Sequence, residues 1–98
     1  MLNEDDVVLD VDDCMKAVIE ASTGASYHDG LIPILPPEAG WEADLANWDQ
    51  TLAAIQACLH AKNPAYANLV LDPSMTEETI NKTLSFTRGI ITAKIMAL

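Results

Sequence analysis

Six carboxylates fall within the twelve residues Asn3–Cys14, "NEDDVVLDVDDC", and carboxylates at that density suit a hard cation, a basic partner or the electropositive start of a helix. The run Asp10-Val11-Asp12-Asp13 is similar to the opening of a calcium loop. It lacks the loop glycine and the distal bidentate Glu, and a helical reading points Asp12 and Asp13 apart, so no metal is expected there. Cys14, His28, Cys58 and His60 are the softer donors. Cys58 and His60 stand two apart, on different sides of a helix, and no Cys-x-x-Cys spacing exists, so zinc is not expected either. The two cysteines are read as small buried hydrophobes rather than as a disulfide.

The one acid/base candidate is Tyr27-His28-Asp29. A His beside an Asp could serve as a base, but adjacent residues rarely orient each other, and no nucleophile motif accompanies them. It is read as an exposed turn. His60 beside acidic neighbours could respond to pH. Gly-rich nucleotide loops and paired E-x-x-E helices are both lacking. No catalytic residue, cofactor or metal is therefore expected, and the chain is not read as an enzyme.

The elements that must position these residues follow from apolar spacing. Over residues 4–23, Val7, Val11, Cys14, Val18 and Ala21 recur at four and three, with only Leu9 stranded on the polar side, so the segment is a helix rather than a strand. Asn3 is its N-cap, Glu4, Asp5 and Asp6 suit its start, and Asp12 can pair with Lys16 one turn on. Residues 24–40 carry three Pro and three Gly around an apolar "LIPIL" and form a long connector, expected to lie across the helices as a lid or else to dock in a partner's groove.

A second helix over 41–62 has Trp41, Leu45, Trp48, Leu52, Ile55 and Leu59 in one seam. Alanines gather opposite, and a polar wedge of Glu42, Asp49, Gln56 and His60 separates the two faces. A short helical turn is expected near 64–70. Ser74 and Glu77 match a capping box for a last helix over 75–98. On it Ile80, Leu84, Ile91, Ile95 and Leu98 form one stripe, and Phe86, Ile90, Ala93 and Ala97 another.

The expected fold is one all-α domain over 1–98, a small bundle of three main helices crossed by the connector. Its second apolar face, Phe86, Ile90, Ala93, Ala97 and Leu98, implies a homo-oligomer, a dimer or higher.

Net charge is −10 over 98 residues, unevenly spread. Residues 1–60 hold twelve acids against Lys16, whereas 61–98 hold three acids against four bases. A field of this sign repels nucleic acid and anionic membrane, and no run reaches the ~18 apolar residues of a membrane span. The acidic start lacks a basic leader, so the chain is read as cytoplasmic, or in the host cytoplasm if viral.

The layout of a small acidic bundle with a connector after its first helix resembles the acyl carrier proteins. Yet "GWEADL" stands where their Asp-Ser-Leu attachment site opens the second helix, and the nearest match, "DPSM", lies elsewhere. Length and helix pairing are similar to the WXG-type secreted dimers, but no Trp-x-Gly marks a turn, and membership of neither family is assigned.

The leading expectation is a non-catalytic interaction protein, an adaptor, inhibitor or regulator of phage or plasmid type, whose acidic residues Asp6, Asp10, Asp13 and Glu20 meet a basic protein surface. A second is a binder of a small anion or nucleotide, or a minor enzyme, with Tyr27, His28, Asp29, Lys82 and Arg88 meeting between subunits. A third is a structural subunit of a virion or secretion assembly.

Overall fold

The structure, a computed structural model, describes residues 2–23, 40–71, 73–80 and 82–98, and of residues 22, 23, 40–47, 73 and 74 the backbone alone. It is all-α: α1 (Glu4–Thr23), α2 (Gly40–Lys62), a 3-10 turn (Pro64–Tyr66), α3 (Pro73–Thr79) and α4 (Leu84–Met96). The "LIPIL" lid and Tyr27-His28-Asp29 lie outside the described residues.

Helix α1 starts where its chemistry dictates. The Asn3 side chain accepts from the Asp5 amide at 2.8 Å, and the Asn3 carbonyl takes the Val7 amide at 3.0 Å, so an otherwise orphaned donor is satisfied at the helix start. Val7, Val11, Cys14, Met15 and Ile19 are buried, while Leu9 is 63% exposed, as the helical projection requires. On α2 the seam residues Trp48, Leu52, Ile55 and Leu59 are buried, and Ala53, Ala54, Ala57 and Ala61 face outward. The side chains of Trp41 and Leu45 lie outside the described set.

Helix α1 is central, packed by α2 on one side and α4 on the other, while α2 carries α3 and the 3-10 turn. Both neighbours run antiparallel to it. Cys14 meets Cys58 while Asp10 meets Tyr66, and Asp12 meets Arg88 while Glu4 and Val8 share a cleft with Ala93 and Met96.

Three expectations are corrected. Cys14 and Cys58 are not separate thiols but a disulfide between α1 and α2, with Cα atoms 5.8 Å apart. Each occupies a core-facing position on one of two antiparallel neighbours, which brings the sulfurs within bonding reach.

The single last helix over 75–98 is instead two. After Thr79 the chain turns, and Thr83, in extended conformation (φ −72°, ψ 160°), restarts it by accepting the Phe86 amide on its hydroxyl at 3.1 Å. α3 begins at Pro73, a residue suited to a first helical turn, so Ser74 lies inside the helix rather than capping it.

Leu98 leaves the buried stripe of Ile80, Leu84, Ile91 and Ile95 and is 54% exposed, because α4 has ended at Met96. Among the described residues no helix is long and apolar enough to cross a membrane.

Candidate functional site

Of the polar wedge of α2, Asp49, Gln56 and His60 are engaged inside the chain, and the side chain of Glu42 lies outside the described set. Gln56 Oε1 accepts from the Leu71 amide and His60 Nε2 meets the Leu69 carbonyl, both at 2.8 Å. A carbonyl only accepts, so His60 carries its proton on Nε2. Asp49 takes the Thr76 hydroxyl at 3.0 Å. Trp48 Nε1 donates to the buried Thr79 hydroxyl at 2.8 Å, which itself donates to the Met75 carbonyl at 2.7 Å. These bonds clasp the irregular segment 69–71 and α3 onto α2, because backbone polar groups buried away from water must find partners. Among the described residues no buried side-chain nitrogen or oxygen lacks one.

The acidic flank of α1 divides. Asp10 is half-buried and accepts the Tyr66 hydroxyl on Oδ2 at 2.6 Å, so it faces the 3-10 turn rather than a partner. Burial first, then the hydrogen bond to Asp10 and its negative charge, push the Tyr66 phenol up to about 12. Asp12 holds Arg88 of α4 at 3.2 Å.

Asp13 reaches Lys62 at 3.4 Å yet remains 64% exposed, a geometry in which water keeps the attraction weak. Asp6 is exposed and Glu20 half-buried. What stays open on this flank is Asp6 and Asp13, seven residues and roughly 10.5 Å apart along the helix, with Glu4 and Asp5 exposed at its start.

Of the residues expected to hold a small ligand, Lys82 is exposed with Nζ 5.9 Å from the centre of the Phe86 ring, and Arg88 is taken by Asp12. The other three lie outside the described residues. Joined sulfurs of Cys14 and Cys58 are no longer thiolate ligands, and among the described residues no group of three or more His, Cys, Asp or Glu is placed to hold a metal ion.

A cleft of about 410 Å³ runs between α1 and α4, bordered by Glu4 and Val8 on one side and Arg88, Gly89, Ala93 and Met96 on the other. The face of α4 expected to self-associate is open: Phe86 is 43% exposed, Ala93, Ala97 and Leu98 are exposed, and Ile90 is half-buried.

Sequence reasoning missed the Asp10–Tyr66 bond, the Trp48–Thr79 bond and the disulfide. The disulfide had a signal, since Cys14 stands on the apolar stripe of α1 and Cys58 stands beside the seam residue Leu59, half-buried against the core, on helices long enough to pair. Fold and site together define a small all-α bundle with an acidic central helix. No family model, no curated protein and no solved structure matches this chain.

Proposed function

We propose that the chain is a non-catalytic, oligomeric interaction protein that engages a basic surface of another protein through the α1 flank. Asp6 and Asp13 are the contacting carboxylates, with Glu20 extending the row toward the helix end. The observation that carries this reading is the exposure of Asp6 and Asp13 on one side of a helix, within residues 1–60, which hold twelve acids and one base. Such a field speeds encounter with a cationic surface and disfavours nucleic acid and anionic lipid.

The Cys14–Cys58 disulfide favours maturation in an oxidising compartment over the cytoplasm expected from the sequence. The small-ligand reading is weaker, because Arg88 already has a carboxylate partner.

The test is a photo-reactive residue placed at Asp6, with one at Glu77 on α3 as control. A partner cross-linked from Asp6 alone is then titrated against the native chain at rising salt. Affinity should fall steeply with ionic strength and fall again in Asp6→Asn and Asp13→Asn. Binding indifferent to both would sink the charge-led reading.

A further inference from the structure

Gly89 lies in the middle of α4, where glycine costs about 1 kcal/mol relative to alanine. Among the described residues a Cβ built on it meets nothing within 4 Å, so their packing does not require it. Projected at about 100° per residue, Gly89, Ala93 and Phe86 lie on the side opposite the buried Ile91 and Ile95, with Met96 on its flank. The smallest residues thus sit at the centre of an exposed face, with larger apolar side chains around them. That pattern lets a second helix approach closely.

The charges choose that helix. Because α1 runs antiparallel to α4, Glu4 lies beside the C-terminal end of α4, in the cleft with Met96. The exposed Lys82 lies at the opposite end, its ammonium near the Phe86 ring. One face therefore carries an acid at one end and a base at the other, about 20 Å apart along thirteen residues. A two-fold axis perpendicular to α4, passing near Gly89 and Ala93, exchanges those ends. The partner that such a face fits is its own copy.

We propose that the chain forms a two-fold dimer by antiparallel packing of α4 against α4 of a second copy, with Gly89 and Ala93 at the crossing and Lys82 of each copy set against Glu4 of the other. The proposal deepens the reading of the chain as an oligomeric interaction protein and rests on it. Arg88 and Lys94 project toward the edges of the α1-facing side of α4, so like charges do not meet across the axis, and Arg88 is already neutralised by Asp12.

Sedimentation equilibrium on the full chain over a wide concentration range tests this. A 10.6 kDa chain should associate to twice that mass and no further. Gly89→Gln places a bulky polar side chain at both sides of the crossing and should raise the dimer dissociation constant about a hundredfold. The melting temperature of the dilute monomer should hold or rise, since the new side chain enters open space. Lys82→Glu should weaken the dimer about tenfold, and adding Glu4→Lys should restore it.

A dimer that survives Gly89→Gln and ignores the charge swap overturns this interface while leaving an oligomeric protein. A single-chain mass at every concentration, as expected were the face reserved for a peptide or small anion, overturns self-association itself. Cross-linking at Asp6 reads the acidic flank separately in either case.

Discussion

The Tyr66 hydroxyl donates to Asp10 Oδ2 at 2.6 Å across 56 residues of sequence, tying the 3-10 turn after α2 to the outer turn of α1. Tyr66 is itself 1% exposed, so its ring belongs to the core while its oxygen reaches the acidic helix. Tyr66→Phe keeps the ring and should cost about 1 to 2 kcal/mol in urea unfolding near neutral pH.

The cost should depend on pH. The phenol pKa is about 12 in the folded chain and about 10 when unfolded, so the folded state holds the proton more tightly. That contribution is complete below pH 10 and is lost as pH rises through 12. Unfolding measured at pH 8, 10 and 12 should show native protein and Tyr66→Phe converging at the alkaline end. A gap that stays constant would mean the phenol does not ionise as its surroundings dictate.

Cys14 and Cys58 are separated by 44 positions, and closing a loop of that size removes unfolded-state entropy worth about 4 kcal/mol in the chain-entropy model. In a domain this small the corresponding fall in Tm on reduction is on the order of 20 °C. Calorimetry with and without a phosphine reductant should show it, and the double variant Cys14→Ser with Cys58→Ser should melt with the reduced protein. Identical melting before and after reduction would remove the cross-link from the stability of the fold.

Trp48 and Thr79 form the polar contact at the centre of the α2–α3 interface, 2% and 0% exposed. Thr79→Val preserves shape but leaves the indole N–H without an acceptor, which should cost about 1 to 3 kcal/mol. Thr79→Ser retains the hydroxyl and should recover most of it. Urea denaturation followed by tryptophan fluorescence distinguishes the two, and equal losses would mean that the methyl group matters rather than the bond.

Thr83 caps α4, and Thr83→Ala should destabilise the chain by about 1 kcal/mol. Hydrogen exchange should accelerate first at the Phe86 amide, which loses its acceptor, while Thr83→Ser protects it. Unchanged exchange there would place the start of α4 elsewhere.

The sequence made α1 and α2 legible because each carries its apolar residues in one helical stripe, and Val7, Val11, Leu52 and Leu59 are buried as that spacing demands. The break between α3 and α4 was hidden for the same reason. Ile80, Leu84, Ile91 and Ile95 continue a single stripe across it, and periodicity reads which face is apolar, not whether the backbone between turns is continuous. The mark of the break was local: Thr83 stands three residues before the amide it caps.

Charge was legible in amount but not in use. A helical projection put Asp10 on an outward flank, and only the arrival of Tyr66 from a distant turn removed it from the surface set. The second apolar face of α4 behaved differently, since Phe86 and Ala93 are exposed on it.

The Cys14–Cys58 bond also changes the topology of the polymer. Residues 14–58 become a covalent ring that includes the whole 24–40 connector, with residues 1–13 and 59–98 as tails. One peptide cut anywhere in the ring opens it without dividing the molecule. A protease that nicks the connector therefore yields a species one water heavier, which runs as a single chain until reductant is added and only then parts into two. Cleavage within the connector and separation of α1 from α2 become two chemical events, the first hydrolytic and the second reductive.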